Sequence, residues 1–364
     1  MRIAQVAPLY ESVPPKLYGG TERVVANLTE ALVEAGHDVT LFASGDSETS
    51  ARLVPCCEKA LRLNNNAVTD RLAHHFVMLE EVLERADQFD IIHFHIDYLH
   101  FPLSKLSGLV HVSTLHGRLD SPDLAALFRK YKNMPLISIS LNQRKPLPWV
   151  NWIGNVYHGL SADLLPLGEG RGNYLAFLGR ISPEKRVDRA IEIAKRLNMP
   201  LKIAAKVDAT DNAYYEHEIK HLLNTPNVEF VGEINDQQKG EFLGNAYAYL
   251  FPIDWPEPFG LTMIESMACG TPTIAFRCGS VPEVVTNGVS GFIVDTLDDA
   301  VNALRQAATL DRAVCRAEFM KRFSASKMAQ QYAKLYEATV AAKSGVPEAV
   351  PVDPGNEIDS LLTL

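Results

Sequence analysis

The sequence lacks several things, and each shortage removes a class of protein. No apolar run among its 364 residues approaches the ~20 needed to cross a bilayer. Its N-terminus, Met1-Arg2-Ile3-Ala4, has none of the long apolar core of a secretory signal, so the expected address is the cytoplasm. Cysteine is scarce: Cys56, Cys57, Cys269, Cys278 and Cys315 make an odd set without paired or ligand-like spacing, which suits reduced thiols. Lys and Arg number 35 against 44 Asp and Glu, a formal charge of -9. Neither nucleic acid nor an anionic membrane is therefore the expected main partner. The dinucleotide fingerprint Gly-x-Gly-x-x-Gly is missing from the first strand-to-helix turn, and no repeat of solenoid period is present.

What is present is a chain long enough for two domains, 47% hydrophobic, in which strand and helix patterns alternate throughout. A buried strand over 3–7, a loop with Pro14, Pro15, Gly19 and Gly20, a helix over 21–35 with Thr21 as N-cap and Gly36 as stop, and a strand over 39–43 make one βαβ unit. A helix is expected over 67–86 with Leu72, Phe76, Leu79, Val82 and Leu83 inward, then strands over 90–95, 109–115 and 136–140. The glycine- and proline-rich stretch 166–173 reads as the linker between a first domain, 1–165, and a second, 174–323. In the second domain a strand over 174–178 leads to a helix over 183–197 capped by Ser182, and a further helix is expected over 214–223. A terminal helix lies within 324–343, with Tyr332 and Tyr336 read as packing, and 344–364 reads as a disordered tail.

The chemistry concentrates in the stretch from Asp254 to Thr273. Glu257 stands in a loop broken by Pro256 and Pro258, while Glu265, with seven residues between, falls inside a short helix that opens at Gly260 and stops at Gly270 and Pro272. The free N–H groups of Gly260, Leu261 and Thr262 then form an anion site, and the two carboxylates suit polyol hydroxyls. Apolar strands over 248–252 and 273–276 flank the motif and set it at a strand's C-terminal end, where ligands bind in open α/β sheets. Arg180 at a strand tip and Lys185 in a first helical turn place two cations where the helix dipole opposes them, which suggests an anion between them. Histidines crowd at His93, His95, His100, His111 and His116. Zinc is one reading of that cluster, but the spacing offers no helical His-x-x-x-His and no carboxylate in register, so no metal site is assigned. His116 ends a strand and faces the expected cleft, and His95 and Asp97 at the neighbouring tip are candidates for an acceptor side.

These blocks together resemble the retaining GT-B glycosyltransferases of family 4, in which two glutamates at this spacing are the signature and an Arg and a Lys hold the donor diphosphate. The resemblance covers roughly residues 1–341. It implies two Rossmann-like α/β domains with parallel sheets facing across a cleft and a C-terminal helix crossing back to the first domain. It also implies a nucleotide-diphosphate sugar as co-substrate, with UDP-glucose the commonest such donor, no cofactor, a hydroxyl acceptor and retained anomeric configuration. By the same resemblance Gly19 and Gly20 approach the donor, His116 contacts its sugar, Glu265 takes the ribose hydroxyls and Glu257 the sugar hydroxyls. His158-Gly159-Leu160-Ser161 departs from the family's Asn-Gly followed by aspartate, and Asp163 is given no role. A GT-B sugar-nucleotide epimerase, a Rossmann oxidoreductase and a catalytically silent sugar-nucleotide sensor are the alternatives.

Overall fold

The computed structural model describes residues 1–16, 19–62 and 68–343. The tail expected over 344–364 and the start of the helix expected from 67 fall outside the described residues.

The first domain holds a parallel sheet of seven strands: β1 (Arg2–Val6), β2 (Asp38–Ser44), β3 (Arg52–Cys57), β4 (Ile91–Phe94), β5 (His111–Thr114), β6 (Leu136–Ser138) and β7 (Trp152–Asn155), in the order β3-β2-β1-β4-β5-β6-β7. Strand β1 lies between β2 and β4, with Ile3 opposite both Val39 and Ile91. Ile3, Ala4 and Val6 are fully buried, as a central parallel strand covered on both faces requires. Helices α1 (Gly20–Glu34), α2 (Arg71–Glu84), α3 (Phe101–Ser107) and α4 (Pro122–Lys130) flank it.

The second domain repeats the plan with six parallel strands: β8 (Leu175–Arg180), β9 (Leu201–Lys206), β10 (Val228–Gly232), β11 (Ala248–Phe251), β12 (Thr273–Phe276) and β13 (Gly291–Val294), in the order β10-β9-β8-β11-β12-β13. Its helices are α5 (Val187–Leu197), α6 (Asn212–Tyr214), α7 (Asp236–Gly244), α8 (Leu261–Ala268), α9 (Val281–Val284), α10 (Leu297–Ala307) and α11 (Arg312–Arg322). Then α12 (Ala325–Lys343) returns to the first domain, where Met328, Ala329, Tyr332 and Tyr336 share a core with Ile3, Val24, Leu28 and Ile91. The strand order reverses at β1 and at β8. These are the two switch points at which open sheets leave a crevice, and both open into one cleft. Among the described residues no helix is long and apolar enough to cross a membrane.

Several expectations need correction. The first helix begins at Gly20, so Thr21 is inside it; Gly19 holds the N-cap position, and its carbonyl accepts the Arg23 N–H at 3.2 Å. The helix expected over 183–197 is split into a tight turn, Pro183–Lys185, and α5, because Arg186 between them takes a left-handed φ of 52°. Side-chain bonds from Arg186 to Asp188 and Asp254 accompany that kink, and Ser182, the expected cap, leaves its hydroxyl buried without a partner. Helix α2 turns a different face inward: His75, Met78, Leu79 and Val82 are buried, whereas Leu72 and Phe76 are 48% and 56% exposed. His75 sits in the core because its Nε2 accepts the Leu9 N–H at 3.2 Å, a polar group behaving as part of the apolar stripe. The helix expected over 214–223 is a chain of short turns, Asn212–Tyr214, Tyr215–Ile219 and Leu222–Asn224. Tyr332 and Tyr336 do pack, but their hydroxyls also bond to Thr114, Gln5 and His93. The stretch 166–173 is fastened to the second domain: Gly168, Gly170 and Gly172 donate N–H bonds of 2.8–3.0 Å to the carbonyls of Cys269, Gly244 and Asn245.

Candidate active site

The loop carrying Glu257 is shaped by two glycines. Gly279 has φ 58°, and a Cβ there would fall 2.3 Å from the Glu257 nitrogen, so only glycine lets the two segments touch. Ser280 then fixes the loop, its N–H donating to Glu257 O at 3.0 Å and its hydroxyl to Phe259 O at 2.7 Å. Gly260 has φ 83° and serves as the N-cap of α8; a Cβ there would strike Met263 at 2.7 Å and Phe251 at 3.0 Å. Met263 donates back to Gly260 O, so the N–H groups of Gly260, Leu261 and Thr262 precede the first such bond, as the sequence implied. Leu261 packs against the cores of both domains, which brings that N-terminus to the cleft between them.

The cleft encloses about 590 Å³ and gathers every residue singled out from the sequence: Gly19, Gly20, His95, Asp97, His116, Arg180, Lys185, Glu257, Gly260, Leu261, Thr262 and Glu265. Glu265 is 2% exposed; its Oε1 accepts from Lys239 Nζ at 2.8 Å, and its Oε2 is buried without a hydrogen-bond partner. Lys239, on α7, also lies 3.4 Å from Asp236, which pairs with Arg23 of α1, so a line of alternating charge joins Glu265 to the first domain. Glu257 Oε2 receives the Lys185 ammonium and the Trp255 indole N–H, the latter at 3.0 Å. The same ammonium lies 5.3 Å from the Trp255 ring centre and 5.7 Å from that of Phe251. Arg180 is ringed by carboxylates, at 3.0 Å from Glu184, 3.3 Å from Asp211 and 3.5 Å from Asp208. An anion reaching Arg180 or Lys185 must therefore compete with acids already there.

On the opposite wall, His116 Nε2 stands 2.8 Å from His95 Nδ1, and the His116 ring stacks on His158 at 5.2 Å. His95 is buried behind His116, with Gln5 Oε1 at 2.7 Å from its other nitrogen, so at the strand tip it is His116 that carries the accessible ring surface. Burial pushes His116 down to about 3 and His95 and His158 well below the usual imidazole value, so all three rings are neutral. Asp97, with φ 51°, is open to water yet closely surrounded by cleft walls, which push its carboxyl up to about 6. Among the described residues no three His, Cys, Asp or Glu side chains are arranged to hold a metal ion.

Residues that the sequence reading passed over include Lys239, Arg23, Trp255, His158 and Glu22. The Thr-Glu-Arg directly after the paired glycines was the available signal for Glu22 and Arg23; nothing in sequence ties Lys239 to Glu265, 26 positions on. Glu22 is buried against the cleft, and desolvation pushes its carboxyl up to about 7. An acid whose folded pKa is raised favours the folded state when protonated, and that advantage is lost as pH rises from the unfolded value near 4.5 towards 7. Glu22→Gln is therefore expected to raise the melting temperature at pH 8 and leave it nearly unchanged at pH 4. Thermal melts at both values check this, and an equal gain at both would contradict it.

Two Rossmann-like domains facing across a cleft, with a terminal helix returning to the first, define the GT-B fold. The chain belongs to the glycosyltransferases of that type: residues 18–159 match the model for Glycosyltransferase Family 4 and residues 167–325 that for Glycosyl transferases group 1. It is 25% identical to an uncharacterized glycosyltransferase of Methanocaldococcus jannaschii, over 81% of this chain and 85% of that one. It is 26% identical to the glycogen synthase of Mycobacterium tuberculosis, over 85% and 86%. Among solved structures, a glycosyltransferase involved in avilamycin A biosynthesis superposes with a TM-score of 0.73 at 22% identity, covering 93% of this chain and 98% of that one. HepE of Anabaena in complex with UDP and glucose gives a TM-score of 0.73 at 16% identity, covering 93% and 99%.

Proposed function

We propose that the protein is a retaining hexosyltransferase that takes a sugar from a nucleotide diphosphate, UDP-glucose being the favoured donor, and moves it to a hydroxyl acceptor without a metal ion. The observation that carries this reading is Glu265 Oε2: a buried carboxylate oxygen, unpartnered, in a cleft with a helix N-terminus four residues before it. A carboxylate with one oxygen held by Lys239 and the other vacant fits the hydroxyls of a ribose. The amides of Gly260 to Thr262, with Arg180 and Lys185, suit the diphosphate, whose negative charge grows as the sugar leaves. Cations built into the protein would do there what a divalent ion does elsewhere. HepE of Anabaena, a structural neighbour, has been solved with UDP-glucose, which favours uridine as the base. Glu257, held by Lys185 and Trp255, is read as a sugar-binding group and not as a covalent nucleophile. Same-face attack by the acceptor then explains retention, as the family resemblance implies.

The test is product analysis by NMR after incubation with UDP-glucose and a panel of hydroxyl acceptors. A new α-glycoside is expected. Conversion to a different sugar nucleotide without acceptor would make the protein an epimerase, and binding without turnover would make it a sensor. Glu265→Gln is expected to weaken UDP binding at least tenfold, since a charge-assisted bond is lost and Lys239 keeps only its longer pairing with Asp236. Calorimetric titration with UDP checks this, and unchanged affinity would remove Glu265 from the ribose.

A further inference from the structure

A continuous hydrogen-bonded chain runs from the crossover helix α12 to the cleft wall. Thr114 Oγ1 lies 2.9 Å from the Tyr332 hydroxyl and 2.7 Å from His93 Nε2, and His93 Nδ1 lies 2.6 Å from the Tyr336 hydroxyl. Gln5 Nε2 donates to Tyr336 at 3.1 Å, Gln5 Oε1 stands 2.7 Å from His95 Nε2, and His95 Nδ1 stands 2.8 Å from His116 Nε2. Gln5, His93, His95, Thr114, Tyr332 and Tyr336 are all buried. Desolvation keeps His93, His95 and His116 neutral, so each ring has one N–H and one lone pair. In such a chain the state of one member dictates the next.

The amide of Gln5 breaks the symmetry. Its oxygen can only accept, so His95 Nε2 carries the proton and His95 Nδ1 is a lone pair. That lone pair must receive a proton donor, which makes His116 the Nε2–H tautomer and leaves its Nδ1 bare. This Nδ1 is a buried atom with no hydrogen-bond partner. We propose that Gln5 and Tyr336 are positioning residues that lock His116, a residue of the cleft wall, in the Nε2–H tautomer, so that its unpartnered Nδ1 is an acceptor and not an N–H donor. The ligand group matching that nitrogen is a proton donor such as a sugar hydroxyl, and only this identification of the ligand rests on the glycosyltransferase reading. Tyr336 orients the amide by accepting from its nitrogen. Were the amide turned over, every bond of the chain would reverse and His116 would present Nδ1–H.

The test is multiple-bond proton–nitrogen NMR on the ligand-free full chain with 15N-labelled histidine, the His116 ring assigned by its loss in His116→Gln. The expected spectrum has a pyrrole-type Nε2 and a pyridine-type Nδ1 for His116, unchanged from pH 8 to pH 6. An Nδ1–H tautomer, or protonation in that range, overturns the proposal. Tyr336→Phe keeps the ring and its packing but removes the amide's acceptor, and is expected to give His116 as a mixture of tautomers. A variant that keeps the wild-type tautomer would overturn the part assigned to Tyr336. Should that variant fail to fold, the wild-type spectrum alone decides. No substrate enters the measurement, so its outcome is independent of whether the donor reading succeeds.

Discussion

Lys185→Ala is expected to lower kcat at least a hundredfold with a smaller change in donor KM, in the range found when a donor to a developing oxyanion is removed. The ammonium reaches the cleft from a tight turn, Pro183–Lys185, held in place by its surroundings: Asp254 N–H donates to Glu184 O at 2.9 Å, and Arg189 reaches Asp254 at 3.0 Å. In the unliganded protein its charge is shared with Glu257 Oε2 and with two aromatic rings. A donor diphosphate in the ground state would offset that pairing only in part. As the glycosidic bond breaks, charge builds on the leaving oxygen and the ammonium's interaction with it strengthens, so the loss falls on the chemical step. Steady-state kinetics separate the two parameters. A normal kcat would take Lys185 out of leaving-group stabilisation; a raised KM with normal kcat would make it a ground-state binding residue.

The second large effect is on stability. His93, His95, His100 and His158 are held well below the usual imidazole value, and His116 at about 3, mainly by burial. Their folded pKa is depressed, so the unfolded chain binds more protons below pH 6.5; the stability they contribute is complete above that value and lost as pH falls. Glu22 and Asp97, pushed up to about 7 and about 6, act in the opposite direction over the same window. Among these groups five depressed histidines outweigh two raised acids, so unfolding takes up protons on balance and stability falls as pH drops below about 6.5. Domain stabilities are typically about 5–15 kcal/mol, so the loss is expected to show as a denaturation midpoint that falls steadily as pH is lowered. Denaturant titrations at pH 7.5, 6.5 and 5.5 read this directly, and a flat stability across them would show that the histidines are not desolvated as a group.

The parts of this molecule legible in its sequence are those in which one local rule decides. The strand over 273–276 coincides with its apolar pattern, because a central parallel strand covered on both faces leaves little else for such a run to do. The Glu257 and Glu265 block was readable for a similar reason: prolines, glycines and apolar spacing set loop and helix locally. Misreadings came where distant groups overrode local preference. Arg186 takes a left-handed conformation while bonding Asp254, 68 positions away, so Ser182 and Pro183 do not start the helix they are suited to start. His75 displaces Leu72 and Phe76 from the buried face of α2 by bonding to the backbone of Leu9. Strand β3 was overlooked since Pro55 and two cysteines disguise it, and as an edge strand it tolerates a proline that a central one would not. In the site, single residues were found but not their partners. Glu265 and Glu257 were evident, while Lys239 for one and Trp255 for the other come from pairings that only the folded chain makes.

The central claim is that the cleft is a nucleotide-diphosphate-sugar site served by protein cations. Thermal denaturation in EDTA against a panel of UDP-, GDP- and ADP-sugars tests it most directly. A ligand at a hundredfold its Kd adds about 2.7 kcal/mol, a readily measured rise in melting temperature. The expected result is a rise with UDP-sugars and none with the other two bases. No rise with any of them, in EDTA or after magnesium or manganese is supplied, would contradict the claim.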